Sequence, residues 1–301
     1  MRNFLPTLVA DKSKSHPPTS DPHTSGGKHL AIGRAALLSL HQEFSAYPKP
    51  GLVSPVDNGS HDDMNAATFF RSLFALRGYF CEIALLGMQK ASLSEMQQLG
   101  FAAEQRMLRA TQGINTHRGA IFNLGLLAAA AGFLVGEGIV PGYENLGKTV
   151  QERWGQALTS YGASLPKTSH GSLVAIRYGV GGAREEGAAG FPHLFNVALP
   201  EFERCLKLGL DIRLATIQCL FRLISVLPDS NLLYRGGEQG LFFAQNIAKD
   251  FLDAGGVQCN NWREYAVSIH HEFVARGLSP GGSADLLGAT IFVHRLLLIK
   301  S

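Results

Sequence analysis

The sequence predicts an all-α protein: one compact domain, a multi-helix bundle with functional loops between its helices. Three observations predict it. Apolar residues recur at helical spacing in one helix-length segment after another. Runs of alternating β-branched residues are missing, so no sheet is expected. No fixed-period self-similarity exists, which argues against a solenoid. A chain of 301 residues, 46% hydrophobic and 17% charged, has ample material for such a core.

Residues 11–29, DKSKSHPPTSDPHTSGGKH, are rich in Ser, Pro, Gly and His and bury little. Residues 1–29 are expected to be a disordered lead-in and 30–301 the helical domain. Leu30, Leu37, Leu38, Leu40 and Phe44 mark a helix over 30–46, which Pro48 and Pro50 end. An irregular loop follows over 47–65, with three prolines and two glycines. It carries Lys49, His61, Asp62 and Asp63, and long loops in compact domains tend to be functional. Asp62 and Asp63 also stand where the next helix would take its N-cap.

Further helices are expected near 65–87, 94–110, 118–136 and 144–160, then one after His170 and Gly171. The rest fall near 193–209, 211–226, 238–254, 261–276 and 284–299. The segment 120–136, AIFNLGLLAAAAGFLVG, has no polar face, so it should be buried on all sides. Asn123 and three glycines argue against a membrane span. Before it stands TQGINTHRG (111–119), whose Asn115, Thr116, His117 and Arg118 meet the amino end of that helix. Free N–H groups and the positive dipole end suit phosphate there, although an elaborate helix cap explains the same residues about equally well.

Polar, glycine-rich junctions recur at KTSHG (167–171), GGAREEGAAGFP (181–192), PDSNLLYRGGEQG (228–240) and GLSPGGSADLL (277–287). Each alone is a plain turn more often than a site. Gathered at one rim of a bundle, they could build a polar cleft. His270 and His271, within a helical pattern, read as surface or core residues, and Trp154 and Trp262 as packing. Cys81, Cys205, Cys219 and Cys259 have no paired ligand spacing and read as buried thiols of a reducing compartment. The net charge of +3, with scattered basic residues, gives no reason to expect nucleic acid. No apolar core of signal-peptide length opens the chain, so a cytoplasmic protein is expected.

The junctions resemble the triphosphoribosyl-dephospho-coenzyme A synthase family, whose members make the prosthetic-group precursor of citrate lyase and malonate decarboxylase. The resembling segments are PKPGLV (48–53), NGSHDDM (58–64), TQGINTHRGAIF (111–122), REEGAAGFP (184–192), DSNLLYRGG (229–237) and SPGGSADLL (279–287). Departures from the family pattern are Glu185 for glycine, Gly187 for alanine and Ser230 for threonine. The wording GLVSPVDNGSHDDM and HRGAIFNLGLLAAAAG is more similar to the malonate decarboxylase branch.

The resemblance implies a transfer in which the ribose 2′-hydroxyl of 3′-dephospho-coenzyme A displaces adenine from C1 of the ATP ribose. Such a displacement passes through an oxocarbenium-like state, which favours a nearby carboxylate. Asp63, Glu186, Asp229 and Asp285 match motif positions that can supply one. Lys49, Arg184 and Arg235, with Arg118 in the central motif, are the expected cations for the triphosphate. Asn115, Thr116, Ser279, Gly281 and Gly282 are expected to add hydrogen bonds to it. Mg²⁺ held by Asp63, Asp229 or Asp285 together with the triphosphate suits that ion's chemistry. His61 and His117 are the expected proton carriers, with His170 a weaker one. A phosphoribosyl-dephospho-coenzyme A transferase and an acyl carrier protein are the implied partners, and a homodimer is the default assembly. A Mg²⁺-dependent N-glycosidic hydrolase and a non-catalytic nucleotide-binding or carrier-binding protein remain as alternatives.

Overall fold

The computed structural model describes residues 27–164 and 170–299, with side chains except those of 161–164 and 170–172. Most of the expected lead-in, most of the KTSHG junction and the side chain of His170 lie outside the described residues. The described residues are all helical or irregular, with no strand.

Helix α1 (Lys28–Ser45) leads into the loop that carries the first two motifs. The helix expected over 65–87 is two, α2 (Ala66–Leu76) and α3 (Tyr79–Met88). The apolar periodicity runs on through the break at Arg77 and Gly78, so the pattern hides the change of direction. Helix α2 packs on α4 (Leu93–Ala110), while α3 lies along α5 (Arg118–Gly136). Asn65, rather than Asp62 or Asp63, caps α2. Its Oδ1 accepts the Thr68 N–H at 3.1 Å, completing a capping box. Both aspartates are therefore released from the capping role and stand exposed.

Helix α5 is the axis of the bundle, flanked by α1, α3 and α14 (Gly281–Leu298). Only α5 among the described helices is long and apolar enough to cross a membrane, and 72% of its apolar window is buried within the fold. Small residues let α3 approach it closely. A Cβ on Gly87 would lie 2.0 Å from the Ala129 carbonyl oxygen, and one on Gly132 equally close to that of Ala84.

The expected helix over 144–160 comprises α6 (Leu146–Val150), a π turn (Gln151–Gly155) and α7 (Gln156–Ser164). Then come α8 (His170–Tyr178) and α9 (Ala183–Ala188). The short α9 lies inside a segment expected to be irregular, where its glycines mask the helical turn. A π turn (Leu194–Ala198) leads into α10 (Leu199–Lys207), followed by α11 (Ile212–Val226). Helix α12 (Ser230–Asp253) begins eight residues before the expected 238 and bends at Gly237, whose φ of 62° is left-handed. After α13 (Trp262–Ala275), α14 closes the bundle.

Trp154 is buried and Trp262 packs on the core, as expected. The four cysteines are free thiols; Cys205 and Cys219 are buried, and Cys81 and Cys259 half-buried. Burial pushes the Cys205 thiol up to about 11 and Cys219 higher as well, which makes both inert as nucleophiles.

Candidate active site

Five of the six motif segments meet around the amino end of α5. Asp285, from the first turns of α14, sits against Gly119, where a Cβ would lie 1.8 Å from its Oδ2. The carboxylate also accepts the Ala120 N–H. Asp285 is half-buried at its surface, yet desolvation, with Glu43 and Asp229 nearby, pushes its carboxyl well above the usual range. A desolvated carboxyl in a residue that keeps some exposure is placed to line a cleft at this end of α5. Gly119→Ala should therefore overpack the site by about 1–3 kcal/mol, outweighing a helix-propensity gain of about 1 kcal/mol. Denaturant unfolding of that variant measures the net loss.

The cleft wall is a knot of loop and helix ends. His61 Nε2 lies 2.9 Å from Ser279 Oγ, and its Nδ1 receives an Arg235 N–H at 3.1 Å. Because the guanidinium can only donate, Nδ1 must present its lone pair, and Nε2 carries the proton toward Ser279. Arg235 also donates to the carbonyls of Ser60 at 3.1 Å and Gly277 at 3.0 Å, tying the 47–65 loop to the start of the last motif. Burial and the Arg235 charge push His61 down to about 4, against the opposing pull of Asp63 and Asp62. Asp63 Oδ1 is 3.8 Å from the His61 ring and otherwise exposed.

Two expected ligands belong to the framework instead. Lys49 is buried, with its Nζ 2.7 Å from Glu43 Oε1 and 3.0 Å from the Glu43 carbonyl, so its charge is already matched. Asp229 has both oxygens taken. Oδ1 accepts the Asn231 and Leu232 N–H groups as the cap of α12, and Oδ2 accepts Ser283 N–H at 2.7 Å and its hydroxyl at 2.9 Å. Gly281 and Gly282 serve the same clamp. Cβ atoms there would lie 2.5 Å from Asn231 Nδ2 and 3.1 Å from the Asp229 carboxylate. His270 is structural too, its Nδ1 donating to the Lys49 carbonyl at 2.8 Å and its Nε2 lying 3.2 Å from Asp57.

His117 lies at the other side of the α5 terminus. Thr116 donates to Ser72 Oγ at 2.7 Å, and Ser72 Oγ is 2.6 Å from His117 Nδ1. This relay leaves Nε2 buried with no partner. Burial and the Lys49 charge push the ring down to about 3, so it is neutral near pH 7. Asn115 Oδ1 accepts the Arg118 N–H at 3.1 Å, as a cap does, and the Arg118 side chain pairs with Glu104 on the exterior at 2.7 Å.

The REEGAAGFP segment reaches the same face of α5 further along. Gly187 packs against Phe122 and Leu126, which follow Gly119 by three and seven residues. Arg184 is half-buried. Glu186 holds His193, which sequence reasoning missed. Its Oε1 accepts the His193 N–H at 2.8 Å, and its Oε2 lies 2.7 Å from Nδ1. The Glu186 hydrogen bond raises the His193 pKa. That raised pKa contributes stability fully present below the unfolded-state histidine value and lost as pH rises through the folded one. His193→Gln should therefore narrow the melting-temperature gap to wild type as pH rises from 5 to 9, on the order of the usual histidine window.

Among the described residues no three His, Cys, Asp or Glu side chains converge as a ready-made metal cage. Asp285 and Asp63 nonetheless have oxygens to offer, and magnesium commonly takes one or two carboxylates beside its phosphates. A cavity of about 460 Å³, lined by Tyr143, Phe195, Leu199 and Arg204 among others, contains none of the motif residues. The convergence of polar groups, rather than the room available, marks the site.

An all-helical chain whose motif junctions meet around one carboxylate at a helix amino end is a defined class, and comparison with known proteins identifies it. Residues 29–300 match the CitG family model, described as ATP:dephospho-CoA triphosphoribosyl transferase. The chain belongs to that family, and its enzyme class is triphosphoribosyl-dephospho-CoA synthase. It is 42% identical over 268 residues to a probable 2-(5''-triphosphoribosyl)-3'-dephosphocoenzyme-A synthase of Acinetobacter calcoaceticus, covering 89% of this chain and 91% of that one. It is 38% identical over 276 residues to the synthase of Pectobacterium atrosepticum, covering 88% and 89%. Protein CitXG of Haemophilus influenzae is 37% identical over 278 residues, which are 87% of this chain and 59% of that longer one. No solved structure matches.

Proposed function

We propose that the cleft at the amino end of α5 binds ATP and 3′-dephospho-CoA side by side and joins them with loss of adenine. The seating of Asp285 against Gly119 carries this reading: a desolvated carboxylate with access to the cleft is what a cationic ribosyl centre needs. Asp285 faces the developing charge at C1. Ser279 and Arg235 line the wall toward the triphosphate, and Arg184, Asn115 and Thr116 supply further polar contacts. His117 acts as a neutral hydrogen-bond donor through its unpartnered Nε2, since the hydroxyl relay from Thr116 and Ser72 occupies Nδ1. His61, also neutral near pH 7, keeps Ser279 in place. Asp285 and Asp63 would hold Mg²⁺, which would offset the charge of the bound triphosphate.

The product is 2′-(5″-triphosphoribosyl)-3′-dephospho-CoA, and the malonate decarboxylase carrier protein is its destination. The wording of the 51–64 and 117–132 segments supports that branch over citrate lyase. Both branches use the same product, so no feature of the cleft distinguishes them. A cytoplasmic homodimer handing its product to a phosphoribosyl-dephospho-CoA transferase completes the reading.

Mass spectrometry of the reaction tests it. One adenine should form for each dephospho-CoA that gains a triphosphoribosyl group. Adenine formed in excess of that product would favour hydrolysis. Deletion of the gene should abolish growth on malonate and spare growth on citrate; the reverse pattern would move the protein to the citrate lyase branch.

A further inference from the structure

The departing adenine needs a proton, and neither histidine expected from the motifs is placed to give one. His61 presents a lone pair to Arg235 at Nδ1 and is committed to Ser279 at Nε2. His117 is enclosed in its hydroxyl relay.

His193 is built differently. Glu186 grips its backbone N–H with one oxygen and Nδ1 with the other, so ring position and proton placement are both fixed. Nε2 has no partner among the described residues, and 31% of the side chain is exposed. A carboxylate behind an imidazole whose far nitrogen is free is the arrangement that orients an acid or base in many enzymes. Glu186 is the charged group that acts on the ring. The dyad follows α9, which rests on Phe122 and Leu126, on the face of α5 where Gly119 seats Asp285. With a rise of about 1.5 Å per residue, Phe122 lies about 4.5 Å beyond Gly119 along the axis. The dyad therefore follows a helix that packs on α5 one turn beyond the residue that seats Asp285.

We propose that His193, oriented by Glu186, is the general acid that protonates the departing adenine. The proposal rests on the transferase reading above. The C1–N9 bond breaks with its electron pair moving to the base, while His193 Nε2 delivers a proton to a ring nitrogen of adenine. The incoming 2′-oxygen bonds to C1 and its proton is lost to solvent. Solvent then returns a proton to His193, so one proton enters adenine for each one that leaves the hydroxyl. Glu186 thereby changes from the catalytic carboxylate expected from its motif to a positioning residue.

The test is the pH dependence of kcat and KM for wild type and His193→Gln, with adenine release as the readout and melting temperature as the folding control. The expected result is a loss of kcat on the order of 10²-fold, KM for ATP changed less than about 3-fold, and disappearance of the basic limb of the profile. Imidazole should restore part of the activity of His193→Ala. Should His193→Gln fail to fold, Glu186→Gln leaves the ring in place and should move the basic limb to lower pH. A kcat within about 3-fold of wild type with an unchanged basic limb would overturn the proposal. So would a basic limb that Glu186→Gln leaves unmoved. Wild-type protein that releases no adenine from both nucleotides would instead sink the transferase reading, before any variant is compared.

Discussion

Lys49→Met should destabilise the protein by about 3–5 kcal/mol, because it leaves Glu43 charged, buried and alone. Lys49 is 1% and Glu43 7% exposed at the side chain, and their contact is 2.7 Å. Combining Lys49→Met with Glu43→Leu should recover most of the loss, since an apolar pair of similar volume often replaces a buried ion pair without cost. Denaturant unfolding of the two single variants and the double variant measures this directly. A Lys49→Met protein of normal stability with a raised KM for ATP would instead return Lys49 to the triphosphate, where its motif first suggested it.

Asp285→Asn should do the opposite: gain stability and lose activity. In the free protein the Asp285 carboxylate is desolvated near Glu43 and Asp229. Neutralising it should gain on the order of 1 kcal/mol in nucleotide-free protein. The same change removes the charge that faces C1, and turnover should fall by about 10²-fold or more. Unfolding with chelator present and steady-state adenine release, on the same preparation, separate the two effects. Wild-type turnover in this variant would remove Asp285 from the chemistry.

These expectations also show where the sequence was informative. Helix α5 was legible because AIFNLGLLAAAAGFLVG has no polar face, and the fold indeed surrounds it. The motif junctions were legible as loops at helix ends because glycine and proline forbid much else. Their pairing was not. Glu43 carries no signal of its own on α1, since nothing local says that Lys49 folds back beneath it. Ser72 and His193 carry no spacing signal; only packing brings one to His117 and the other to Glu186. Asp62, Asp63 and Asn65 share the chemistry of a cap, and the choice of Asn65 depends on a register of two or three residues that propensity does not resolve. Gly281 and Gly282 read as a phosphate cradle, yet the close approach of Asp229 and Asn231 accounts for both.

The most direct test of the central claim is adenine release by purified protein given Mg²⁺, ATP and 3′-dephospho-CoA, with each nucleotide omitted in turn. A synthase whose cleft joins the two substrates should form adenine only when both are present, together with a heavier coenzyme A species. Adenine from ATP alone, at the same rate with or without dephospho-CoA, would contradict the account and make the cleft that of a hydrolase.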